Sequence, residues 1–232
     1  MDGHEILPQR KAEVSPSPPE TPQVFNAADF ETHCETLAAT EPVFRRILDR
    51  HGYPPLWKRE PNFTTLIRII LEQQVSLASA NGTYQKLANA VPEFTPDELL
   101  KLSAEEMRAC AVSRQKASYL HSLSEAVTSN QLDLTALPDL SDEAVRQELT
   151  QIKGIGQWTA NVFLMLALSR IDCFPTGDVA LNNSLRHEFE LTADQFQEAS
   201  QNLITAWSPL RTIAVYFLWH AYIQRKNIVF DG

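Results

Sequence analysis

Residues 149–168 read LTQIKGIGQWTANVFLMLAL, and residues 171–185 follow as IDCFPTGDVALNNSL. In the first stretch Lys153-Gly154-Ile155-Gly156 forms a Gly-x-Gly turn ahead of an apolar helical run that starts near Trp158. Neither glycine carries a Cβ, so the chain can reverse tightly and its backbone can approach an anion. The amides of Gly154, Ile155, Gly156 and Gln157, with first-turn Thr159, open that helix and present the positive end of its dipole to a docked phosphate. Lys153 adds a mobile charge. In the second stretch Asp178 follows Pro175 and Gly177, twenty residues after Trp158, at the head of a helix expected over 179–189. A phosphate-gripping turn is thereby coupled to one placed carboxylate.

Working outward, apolar residues recur at helical spacing from Asn26 onward, as in Phe63, Leu66, Ile67, Ile70, Leu71 and Val75, or Leu203, Trp207, Leu210, Ile213, Ala214 and Phe217. No stretch alternates as a strand does. Capping signals at Thr95, Ser103, Ser141 and Thr192 each precede acidic residues and mark helix starts. The fold class expected is all-α, as a helical domain over 25–232 with two lobes and a cleft between them and its hairpin at 149–160. Residues 1–24, with SPSPPETP at their centre, read as a disordered proline-rich tail.

The longest apolar run, 162–168, is far short of the ~20 residues that a spanning helix needs, and the N-terminus has no secretory apolar region, so no membrane association is expected. Cys34, Cys110 and Cys173 are too widely spaced for a metal knuckle or a disulfide framework. The formal net charge of −9 opposes a polyanionic partner, but the acidic residues cluster at 29–35, 97–106 and 139–148, away from the glycine turn. Phosphate binding is therefore expected to rest on a local patch and on backbone amides, with steep loss in salt.

The turn, the segment NFTTLIRIILEQQVSLASA at 62–80, SRQKASYL at 113–120, FPTGD at 174–178 and WSPLRTIAVYFLWHAY at 207–222 occur in the order found in the helix-hairpin-helix DNA base-excision glycosylases. Over roughly 62–223 the chain resembles that superfamily, and its 3-methyladenine DNA glycosylase II branch in particular. The resemblance implies damaged double-stranded DNA as partner, a monomeric enzyme, and hydrolysis of the N-glycosidic bond of an alkylated base after base flipping. It implies action at the nucleoid of a bacterium or in the nucleus of a eukaryote. The longer relatives' mixed α/β N-terminal domain is expected to be absent. The four-cysteine iron–sulfur loop of endonuclease III-type relatives is not expected either, since no cysteine follows Cys173.

Asp178 matches the family's catalytic aspartate, with helix capping as the bland alternative. By family position Trp158 and Trp219 wall the base pocket, with His220 standing where tyrosine is common and Tyr222 nearby. Electron-rich indoles would favour a cationic alkylpurine by about 0.5–2 kcal/mol. Trp158 also stands where bifunctional relatives carry a Schiff-base lysine, which implies a monofunctional enzyme. Gln74 matches the residue that wedges into the duplex gap, with Gln73 beside it, and Lys116 begins a helix near the DNA. Main-chain carbonyls of Thr150, Ile152 and Ile155 match a structural Na+ or K+ site, and no other cofactor is expected. Two alternatives stay open: removal of uracil, hypoxanthine or mismatched bases, and a non-catalytic DNA-binding scaffold.

Overall fold

The computed structural model describes residues 22–228, which form an all-helical fold in which the chain leaves one lobe, builds a second and returns. Helices α1 (Phe30–Thr40) and α2 (Pro42–His51) pack together and against α12 (Arg211–Lys226), which also carries α10 (Val179–Glu188). The middle of the chain makes the other lobe: α3 (Phe63–Glu72), α4 (Leu77–Asn89), α5 (Pro96–Lys101), α6 (Ala104–Ala109), α7 (Arg114–Thr128), α8 (Asp142–Thr150) and α9 (Gln157–Leu166). Helix α11 (Phe196–Ala206) ends on Trp207, whose buried ring lies 5.1 Å from Phe44 and 5.6 Å from Phe189.

Three helices form the spine, and their composition explains it. Apolar side chains cover most of the surface of α3, α9 and α12, which bury residues all round rather than along one stripe. Helix starts follow the capping logic of the sequence: Thr95, Ser103 and Ser141 each accept a first-turn amide, and Ser103 completes a capping box with Glu106. Thr192 does not start a helix. Its hydroxyl bonds Asp194 and Gln195 within a turn, and α11 begins four residues later at Phe196.

Residues 1–21 of the expected tail lie outside the described residues, but its last members are ordered. The Ile171 amide donates to the Gln23 carbonyl at 3.1 Å, the Phe25 amide donates to Ser169 at 3.0 Å, and Val24 pairs with Arg170 in an isolated bridge. Main-chain pairing takes no account of side-chain polarity, so composition placed this boundary too late.

The same connection, 169–178, carries the FPTGD turn and is fixed from several sides. The Arg170 side chain, 1% exposed with its residue, donates to the carbonyls of Pro138 and Leu140 ahead of α8. Thr212 at the start of α12 donates to the Arg170 carbonyl and accepts the Cys173 amide. Asp172 receives Arg211 through Nε and Nη2, both at 2.7 Å, and the Ser208 hydroxyl at 2.8 Å. Burial opposes ionisation of Asp172, but the hydrogen bonds from Arg211 and Ser208 outweigh it and hold the carboxyl below its ordinary value of 3.8. A depressed carboxyl contributes stability above its unfolded pKa and loses it as pH falls through the folded one, so this contribution disappears only below 3.8. Asp172→Asn is expected to cost about 1–2 kcal/mol at neutral pH, because the fork is bidentate but partly solvated. Thermal unfolding from pH 7 down to strong acid checks this: the variant should converge on the wild type at the acid end.

Candidate active site

Between the lobes lies a cleft of about 1890 Å³ lined by α3, α9, the head of α10, α12 and the segment around Trp57. Gly177, at φ +87°, turns the chain so that Asp178 faces into it. Asp178 is the N-cap of α10, its Oδ1 accepting the Leu181 amide at 2.9 Å. The capping and cleft-facing roles therefore coexist. The Trp158 indole donates to Oδ2 at 3.0 Å and the Trp219 indole to Oδ1 at 3.4 Å. Three donors hold the carboxylate in one orientation and leave a lone pair free for the cleft.

Trp219 is placed by α12, which α10 grips through the Ser184 hydroxyl on the Leu218 carbonyl at 2.7 Å. Its ring stacks on Tyr216 at 6.4 Å and meets Trp57 edge-on at 6.2 Å. Tyr222, three residues along the same helix face, also lines the cleft. His220 does not. One residue along an α-helix is a rotation of about 100°, so facing Trp219 to the cleft turns His220 away from it. It is buried, 5% exposed, with Nε2 3.2 Å from the His51 carbonyl. His220 is a core residue, and its expected place in the pocket is corrected.

The hairpin is formed by α8 and α9. Helix α9 begins on Gly156, which supplies no side-chain cap and has nothing within 4 Å of where a Cβ would sit. Its first amides are thus open to an anion beside the exposed Lys153 and Gln157. Gly154 makes the tight reversal read in the sequence and has a further reason to be glycine. At φ +94° it packs on Tyr119, whose Cγ would lie 2.1 Å from an added Cβ. The close approach that forbids a Cβ here is to a tyrosine of the protein.

Several residues expected at the DNA interface turn inward instead and support the hairpin and the end of α3. The Ile155 amide is spent on the Ile152 carbonyl at 3.0 Å and its side chain is buried. Thr159 is 1% exposed, and its hydroxyl accepts Gln73 Nε2 at 2.9 Å. The same Gln73 amide donates to the Gly154 carbonyl at 2.9 Å, so Gln73 ties the end of α3 to the hairpin. Lys116 turns inward as well, donating to the carbonyls of Leu71 and Gln73 at 2.7 and 2.9 Å. It caps the C-terminus of α3, where a cation offsets the helix dipole, and its burial lowers its pKa against the opposing pull of Glu72. Gln74, by contrast, is exposed at the tip of the α3–α4 turn with φ +57°.

Trp57, Arg59, Glu72 and Tyr119 also line the cleft, and sequence reading missed them. Trp57 and Arg59 lie in an irregular segment without periodicity; the only signal there was an indole between proline and charged residues. The basic Lys58, Arg59 and Arg68 among the lining residues are matched by the acidic Glu60, Glu72 and Asp178. Such a neutral wall leaves open amides as the main anion donors.

An all-helical, two-lobed scaffold that sets an amide-rich turn and an indole-held carboxylate around one cleft defines a class of DNA-lesion-processing proteins. The chain belongs to the HhH-GPD superfamily of base excision DNA repair proteins, which its sequence matches over residues 67–209. It is 32% identical over 166 residues to DNA-3-methyladenine glycosylase 1 of Schizosaccharomyces pombe, covering 70% of this chain and 72% of that one. It is 26% identical over 183 residues to YfjP of Bacillus subtilis, covering 75% of this chain and 64% of that one. The matched part is thus just under two thirds of the length of YfjP. Among solved structures, the S. pombe 3-methyladenine DNA glycosylase Mag1 in complex with abasic DNA superposes with a TM-score of 0.72 at 28% identity, covering 81% of this chain and 95% of that chain.

Proposed function

We propose that this chain is a monofunctional DNA glycosylase that removes N-alkylated bases from duplex DNA in base excision repair. The observation that carries the reading is the Asp178 carboxylate, oriented by the Trp158 and Trp219 indoles at the mouth of the cleft. The hairpin amides from Gly156 onward and Lys153 take the DNA backbone, while Gln74 enters the gap left by the rotated-out nucleotide. As the C1′–N bond breaks, its electron pair leaves with the base, and positive charge develops on the deoxyribose beside Asp178. The carboxylate stabilises that charge and orients the water that attacks C1′, whose proton it can accept. A cationic alkylpurine departs as a neutral molecule, which lowers the demand on the protein.

Trp158 cannot form an imine with the sugar, so the product is an intact strand with an abasic site. The carbonyls of Thr150, Ile152 and Ile155 would hold a monovalent cation that bridges hairpin and phosphate. The Ile152 oxygen fits that role with one lone pair, the other being taken by the Ile155 amide. The protein would act as a monomer.

The test is incubation with a duplex carrying 7-methylguanine, followed by chromatography of released base and by alkali. Free 7-methylguanine with strand breaks appearing only after alkali is the expected result. Breaks before alkali would remove the monofunctional assignment, and release of uracil or hypoxanthine without methylated purines would redirect the substrate class.

A further inference from the structure

Arg59 and Glu72 face each other across the wall of the cleft that holds Trp57, Trp158, Trp219 and Asp178. Their side chains are only 14% and 13% exposed, and the two guanidinium nitrogens meet the two carboxylate oxygens at 3.1 and 2.8 Å. The Arg59 amide is anchored on the Leu166 carbonyl at 2.8 Å. Two residues earlier, the Trp57 carbonyl accepts the hydroxyl of Tyr216, whose ring stacks on Trp219. The pair therefore belongs to the same packed unit as the indoles.

Stability does not account for this arrangement. Replacing a desolvated ion pair by apolar residues of similar volume is commonly neutral or stabilising. Glu72 is moreover the last residue of α3, where a carboxylate opposes the helix dipole. What Glu72 does achieve is to cancel a guanidinium that would otherwise stand uncompensated on the cleft wall, beside the half-buried Lys116 ammonium that Glu72 also attracts.

We infer that Glu72 and Arg59 are the specificity-determining pair of the base pocket: Glu72 neutralises Arg59 so that a cationic, N-alkylated base can enter, and the balance between them sets the preference for charged over neutral lesions. The inference rests on the alkylbase reading above. An unpaired Arg59 repels an alkylpurinium but tolerates a neutral base of similar shape. An unpaired Glu72 attracts the cation. The two single variants must consequently move selectivity in opposite directions, which a role in packing would not do.

The experiment is single-turnover release of 7-methylguanine, a cation in the nucleoside, and of hypoxanthine, a neutral base, by wild type, Glu72→Gln, Arg59→Met and the double variant. Binding to a tetrahydrofuran abasic-analogue duplex and thermal unfolding are measured alongside. Glu72→Gln should lower the 7-methylguanine to hypoxanthine ratio by about tenfold or more, Arg59→Met should raise it, and the double variant should return it towards wild type. If both lesions slow equally, or both single variants shift the ratio the same way, the inference is overturned. Should Glu72→Gln fail to fold, the direction of the Arg59→Met shift decides the matter alone. A wild-type protein that releases no 7-methylguanine would instead defeat the alkylbase reading. A wild type that does release it, with a ratio unmoved in the variants, would defeat only this inference.

Discussion

Asp178→Asn is expected to reduce single-turnover release of an alkylated base by about 10²–10³-fold or more, the range seen when a preorganised electrostatic partner of a transition state is removed. The substitution keeps the shape of the side chain, and asparagine caps helices about as well as aspartate. The amide of Leu181 can therefore keep its acceptor at the head of α10. What disappears is the negative charge facing the cleft. One indole also loses its acceptor, because an amide has one oxygen where the carboxylate offered two to Trp158 and Trp219. A stability loss of about 1 kcal/mol should accompany that. Affinity for an abasic-analogue duplex should stay within a few-fold of wild type, since the hairpin amides are untouched. A variant that keeps more than a tenth of the native rate would remove Asp178 from the reaction.

Gly154→Ala is expected to be the most damaging small change in the hairpin. The position combines a left-handed backbone at φ +94° with a Tyr119 ring whose Cγ, Cδ1 and Cβ would lie 2.1, 2.5 and 2.6 Å from the new methyl. Because Tyr119 Cβ is among the colliding atoms, a rotamer change cannot clear the space. Overpacking of this kind costs about 1–3 kcal/mol and the positive φ about 1 more. The methyl would drive α7 and the turn apart, displacing the Gly154 carbonyl from Gln73. Denaturant unfolding and duplex affinity should both fall. Adding Tyr119→Ala should recover only the part of the steric cost due to the ring, since its Cβ still lies 2.6 Å from the new methyl, and leave the backbone part. A Gly154→Ala protein with native affinity would show that the turn tolerates a Cβ and that the packing argument is wrong.

The fold was legible in the sequence because its signals are local. Helical periodicity, the caps at Thr95, Ser103 and Ser141, and the Gly-x-Gly turn each act within a few residues, and each appears where the pattern puts it. Asp178, Trp158 and Trp219 were legible only through resemblance, yet they converge in space. Illegible were the directions of individual side chains. Gln73 and Lys116 are polar residues beside an exposed turn, a pattern shared by surface contacts and by side chains that satisfy buried carbonyls. The packing of α7 against α3 decides it for Lys116, and that of the hairpin and α9 against α3 for Gln73. His220 failed for a geometric reason, since it adjoins a pocket residue in sequence but lies a third of a turn away in space. Arg59 and Glu72 are thirteen residues apart, with an irregular segment between Arg59 and α3, and no periodicity links them.

The bond from Gln73 to the hairpin has one more consequence. Gln73 precedes Gln74, so the exposed tip of the α3–α4 turn and the hairpin are tied to a single mount. Their spacing is set before any duplex arrives. If, as proposed, the tip enters the duplex while the hairpin holds the strand, the two must engage at one fixed offset, like two prongs of a gauge.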